Sequence, residues 1–227
     1  MNKLHTSVFT VGLLLSPVLL TAEELLRTSA ESGYVENESD PVADASSNLQ
    51  TVADHLTLWH LAAYVDLAFL VAWPVALLAI AVVVARSRPV LSVVSGVCGL
   101  ISVLGIAFHW AFYYLALASS AQADDRELAA QVAATDGDDV LLGIALLMFL
   151  VGTLLAVLAA GFGLWRAHAL AWWGTLGLLV WLGYLFVGPE SQLATLLNLA
   201  LLLPFVGAAR RLATGAEKAP QLEPAHA

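Results

Sequence analysis

At 227 residues, 60% hydrophobic and 12% charged, with a mean hydropathy of +0.83, the chain is too apolar for a soluble globular domain. The formal net charge is −9 and no basic patch or stripe occurs, which excludes a nucleic-acid partner. The single cysteine, Cys98, excludes an intramolecular disulfide.

A helix needs about 20 apolar residues to cross about 30 Å of hydrocarbon. Six runs reach that scale, which predicts an all-α, polytopic transmembrane bundle with the lipid bilayer as its surroundings. No alternating strand pattern of a β-barrel occurs. The six spans and their loops make one domain, 1–211. The first span is 7–26. Its start also fits a cleaved signal peptide, with Lys3 before an apolar stretch and Leu20-Thr21-Ala22 as the cleavage site. Leu20 is large where a small residue is preferred, which favours an uncleaved anchor. The outer loop 23–56 is rich in Ser, Asp, Asn and Glu and is expected to be irregular and mobile. The second span is 57–85, followed by a tight turn at Arg86–Pro89. The third span is 89–118. The outer loop 119–138 contains DDRELAAQVAA, which predicts a short surface helix. The remaining spans are 139–165, 170–187 and 192–209, and a polar, disordered tail is expected over 212–227.

Lys and Arg alternate between the two sides of these spans. Lys3, Arg86, Arg88, Arg166, Arg210, Arg211 and Lys218 fall on one side, and Arg27 and Arg126 on the other. Such a bias predicts that both termini are cytoplasmic in a plasma-membrane protein. The outer loops then hold most of the acids. Gly152, Ala156 and Ala160 predict a small-residue ridge for close helix packing, as do Ser92, Ser95, Gly96 and Gly99. Trp59, Trp110, Tyr113, Tyr114, Trp165 and Tyr184 fall near span ends and are expected in interfacial belts. Pro17, Pro74 and Pro204 are expected to kink their helices.

Ionisable and amide side chains inside spans mark candidate sites. Here they are His60, Asp66, His109 and Asn198. At 1.5 Å per residue, Asp66 and His109 both lie about 14 Å below the outer surface, so a buried carboxylate–imidazole pair is expected. Glu23, Glu24, Arg27, His55, Tyr113 and Asp139 join them as outer-mouth residues. Polar groups therefore gather in the outer half of the bundle.

The sequence carries no GxSxG, Walker loop, GxGxxG or HExxH. Neither catalytic residues nor a cofactor are expected. The leading reading is a structural or accessory envelope protein whose polar cluster pins the helices. The alternative is a small-solute transporter, or one coupled to a cation or proton, that uses the same cluster. A metal site, or a haem between His60 and His109, is the third reading, and neither HxxxH, HxxE nor CxxC supports it.

The run Gly12-Leu13-Leu14-Leu15-Ser16-Pro17, then Glu24-Leu25-Leu26-Arg27, a polar loop and a span opening with Trp59-His60-Leu61-Ala62, resembles a broad group of six-helix actinobacterial integral membrane proteins. The resemblance implies a six-helix fold of about this length. That group has no assigned activity, so the resemblance brings no functional residues with it.

Overall fold

The computed structural model describes residues 3–34, 39–136, 140–187 and 192–217. Among them the chain is helical, with no strand. The helices are α1 (Lys3–Ala30), α2 (Pro41–Asp54), α3 (Leu56–Ala85), α4 (Pro89–Ala121), α5 (Arg126–Asp136), α6 (Val140–Arg166) and α7 (Trp172–Val187). The last helix, α8, opens with Gln192–Thr195, tightens to a 3-10 stretch over Leu196–Leu201 and returns to α-helix over Leu202–Glu217. Five helices are long and apolar enough to cross a membrane: α1, α3, α4, the Gly143–Arg166 part of α6 and the Gln192–Thr214 part of α8. They fit a multi-pass membrane protein. The segment expected as the fifth span is α7, an apolar helix of 16 residues.

The long helices run antiparallel through close small-residue contacts. Gly12 on α1 lies against Val75 and Ala76 on α3. Gly105 on α4 lies against the Phe149 backbone on α6, and Gly152 on α6 against the Ser102 backbone. Ser95 donates to the Ala156 carbonyl across the same seam at 3.2 Å. A side chain at Gly105 or Gly152 would push the two backbones apart. The ridge residues Gly152 and Ala156 therefore serve contact within one chain. Gly96, by contrast, has open space around its Cα.

The outward faces remain apolar. Val71, Leu78, Leu100 and Leu147 are each more than half exposed, while Trp73, Ile80, Ala156, Leu164 and Phe205 form the bundle core. An exterior more apolar than water would tolerate is what a bilayer requires.

Three sequence expectations change. First, α1 does not stop at Leu26 but continues to Ala30. Arg27 bonds Glu31 at 2.8 Å and lies 3.6 Å from Glu23, so charges one turn apart satisfy each other along the helix. Thr28 and Ser29 also return hydrogen bonds to the preceding turn. Second, the outer loop is not irregular throughout. Asp40 caps α2 by accepting from the Val42 and Ala43 amides, with Pro41 at the first helical turn. Leu49 and Val52 then bury the apolar face of α2 in a second cluster with Trp59, Tyr114, Ala121 and Ala130. The short helix read in the second loop is α5. Arg126 at its start donates to Gln50 on α2 at 2.8 Å, so α2 and α5 together cap one end of the bundle. Third, α8 runs past Arg211 to Glu217. The remainder of the tail expected to be disordered lies outside the described residues.

Two departures from α-geometry matter later. Towards the C-terminal end of α4, Trp110–Ala116 is a π-helix. The 3-10 stretch of α8 immediately precedes Pro204 in its first following turn. Proline lacks an N–H for the carbonyl four residues back, Ala200, and its ring crowds that carbonyl, so a tightened turn before it is expected. Gly177 on α7 makes room for the Ala200 oxygen, which a Cβ there would meet at 2.5 Å. At the other end of the bundle α6 closes on His168 with φ 53°, and the Ala169 amide bonds the Leu164 carbonyl at 2.9 Å.

Candidate functional site

The half of the bundle nearer α2 and α5 encloses a cavity of about 380 Å3. All six long or apolar helices wall it: Glu23, Glu24 and Arg27 on α1, Asp66 and Trp73 on α3, His109 and Tyr113 on α4, Phe149 and Thr153 on α6, Trp181 and Tyr184 on α7, and Asn198 on α8. Towards the opposite half the floor is aromatic. Phe69 and Trp73 lie 5.5 Å apart and Trp73 and Phe205 6.3 Å apart, and the Trp73 indole donates to Ser102 Oγ at 3.3 Å.

The acids of α1 are bound into a network. Glu24 accepts from Tyr184 at 2.7 Å and from Asn198 Nδ2 at 2.6 Å, while Asn198 Oδ1 accepts from the Trp181 indole at 3.1 Å. Glu23 accepts from the Tyr114 hydroxyl and Glu31 from the Tyr113 hydroxyl. Arg27 sits among all three glutamates. Around the start of the π-helical stretch α4 aims several side chains inward. His109, Tyr113 and Tyr114 reach towards α1 and the cavity, and the Trp110 indole donates to the Ala63 carbonyl at 2.8 Å. Such turns recur at functional sites.

Asp66 stands outside this network. It is 5% exposed, it lines the cavity, and its carboxyl makes no hydrogen bond or ion pair among the described residues. Glu23 and Arg27 act on it electrostatically.

The structure therefore brings together Asp66, His109 and Asn198 with Glu23, Glu24, Arg27 and Tyr113. It does not pair Asp66 with His109. The imidazole stacks on Tyr113 instead, ring centroids 4.8 Å apart, and packs near Phe149. An expected equal depth did not fix which way the two side chains face around their helix axes. His60 is exposed on the outer surface of α3, because its neighbour Trp59, fully buried, occupies the inward position. His60 and His109 thus do not share a space. His55 sits at the α2–α3 junction, its Nδ1 3.1 Å from the Thr51 carbonyl, away from the cavity. Asp139 lies outside the described residues.

Sequence reasoning missed Tyr114, Tyr184 and Trp181 as site residues. Two were read as interfacial belt residues, yet Trp59, Tyr114 and Tyr184 are buried with their polar ends bonded inside the protein. The available signal was the count of acids on α1, each of which needs a donor once buried. Among the described residues no group of three His, Cys, Asp or Glu side chains is placed to hold a metal ion. No protein-family model, curated protein or solved structure matches the chain.

Proposed function

We propose that the chain is a six-span plasma-membrane protein with both termini cytoplasmic, and that its cavity binds a small cation or proton in the outer half for transport. The Lys and Arg bias supports the orientation, because six of the nine basic residues, Lys3, Arg86, Arg88, Arg166, Arg210 and Arg211, border the helix ends away from α2 and α5. α7, about 24 Å long at 1.5 Å per residue, supplies the sixth, short span.

The observation that carries the binding reading is Asp66. A purely structural cluster would spend every buried carboxyl on a partner, as Glu23, Glu24 and Glu31 are spent. Asp66 is buried, faces open space and has no such partner among the described residues. Three carboxyl groups line the wall beside the single Arg27, so groups able to hold a cation or a proton outnumber the fixed cation. The second reading, an accessory envelope protein, has its own support in the Glu24–Asn198–Trp181 and Glu23–Tyr114 bonds, which tie four helices together.

Proteoliposomes with an imposed pH gradient and a trapped pH dye separate the two. Sodium, potassium or choline chloride added outside discharges the gradient through the native protein, and at least about tenfold more slowly through Asp66→Asn, the scale of one lost charged hydrogen bond. Discharge no faster than in protein-free liposomes for every cation removes the transport reading and leaves the structural one.

A further inference from the structure

We infer that the cavity's ligand is an organic monocation, an aryl- or alkylammonium, rather than a metal ion. The inference rests on the cavity being a cation site and names what kind of cation it takes.

Calcium and magnesium ask for about six to eight oxygen ligands in a tight shell, and zinc for about four His, Cys or carboxylate ligands. The cavity offers the opposite. Glu23 and Glu24 are engaged by Tyr114, Tyr184, Asn198 and Arg27, so Asp66 is the one wall carboxyl without a bond among the described residues. The volume of about 380 Å3 falls within the ~300–1,000 Å3 of small-molecule sites and far exceeds a bare ion. The rest of the wall is largely ring surface: Phe69, Trp73, Tyr113, Phe149, Trp181 and Tyr184. The N–H or O–H groups of the two tryptophans and two tyrosines among them already donate within the protein, to Ser102, Asn198, Glu31 and Glu24. What they present to a ligand is aromatic carbon. One unengaged carboxyl plus aromatic walls is the chemistry that recognises an ammonium group carrying an apolar body: the N–H groups donate to Asp66, and the rings hold the body by apolar contact and cation–π attraction. Arg27 beside the acids repels a second positive charge, which favours a monocation.

The test is binding to the full chain in lipid nanodiscs, read by the intrinsic fluorescence of Trp73 and Trp181 and by thermal unfolding. The probes are phenethylammonium chloride, its neutral near-isostere 2-phenylethanol, sodium chloride and magnesium chloride. Phenethylammonium is expected to give a saturable fluorescence change and a raised unfolding temperature. 2-Phenylethanol should bind at least about tenfold more weakly, and Asp66→Asn should erase that preference, since tenfold, about 1.4 kcal/mol, is within the worth of one charge-assisted hydrogen bond. The amine–alcohol comparison needs no variant and stands even if Asp66→Asn folds poorly. Equal binding of amine and alcohol would overturn the inference by showing an apolar pocket only. Saturable binding of sodium or magnesium that phenethylammonium does not displace would also overturn it, while leaving the cation-site reading intact. Silence from every cation, together with an undischarged pH gradient, would remove both.

Discussion

Glu24 on α1 and Asn198 on α8, 174 positions apart in the chain, are joined by a 2.6 Å hydrogen bond from the Asn198 amide. That bond closes the cavity on one side, and the Asn198 oxygen carries the contact on to Trp181. Asn198→Ala removes a donor from Glu24 and an acceptor from Trp181. It should lower stability in detergent by about 1–3 kcal/mol, as for other buried groups left unpaired. Glu24→Ala combined with Asn198→Ala should cost less than the sum of the two. Additive losses in thermal unfolding would mean the bond contributes nothing.

Asp66 and His109 should behave in the contrary way. The imidazole stacks on Tyr113 and makes no bond to the carboxyl. Asp66→Asn and His109→Gln are therefore expected to add, within about 0.3–0.5 kcal/mol. A larger coupling would show that the two side chains meet.

The seam between α4 and α6 makes a steric prediction. A Cβ at Gly105 would lie 2.2 Å from the Phe149 backbone nitrogen, whereas one at Gly96 meets nothing within 4 Å. Gly105→Ala must separate two helix backbones and should cost about 1–3 kcal/mol or more. Gly96→Ala should be neutral or slightly stabilising, since alanine is the better helix former. Equal unfolding temperatures for the two variants would contradict the packing described.

How much of this was legible in the sequence depended on the kind of signal. Hydropathy located the apolar segments to within a few residues, because lipid admits little else over that length. The rule that ionisable and amide side chains within spans are candidates picked out Asp66, His109 and Asn198, which line the cavity, and His60, which does not. The Glu23–Arg27 spacing of one helical turn hinted that α1 runs on, but the apolar stretch ends at Leu26, so hydropathy alone stopped the span short of Ala30. Helix α2 was hidden for a different reason. Its Asp40-Pro41 start is a legible capping signal, but the polar composition around it dominated. The π-turn at Trp110–Ala116 leaves no mark in hydropathy, and counting residues for depth says nothing of which way His109 faces.

The cap on α2 can be tested by itself. Asp40→Ala removes the acceptor for the Val42 and Ala43 amides and should cost α2 about 1 kcal/mol. Hydrogen exchange over 41–54 should be slowed in the native protein and faster in the variant. Full exchange at the earliest time point in the native protein would show an irregular loop after all.

Orientation is open to thiol labelling in a Cys98→Ala background. Cysteines at Ser39 and Ser120 should react with an impermeant reagent in intact cells, and one at Gly215 should not. Labelling at Gly215 without permeabilisation would reverse the topology.

The central claim is that Asp66 faces an acidic, solvent-reachable cavity inside the membrane bundle. Asp66→Cys, with Cys98→Ala, tests it most directly. The remaining acids, Glu23 and Glu24, should draw a permanently cationic methanethiosulfonate to that thiol several-fold faster than an anionic one, and added salt should narrow the gap. A thiol at position 66 that is inert to both reagents, or that favours the anionic one, would contradict the claim.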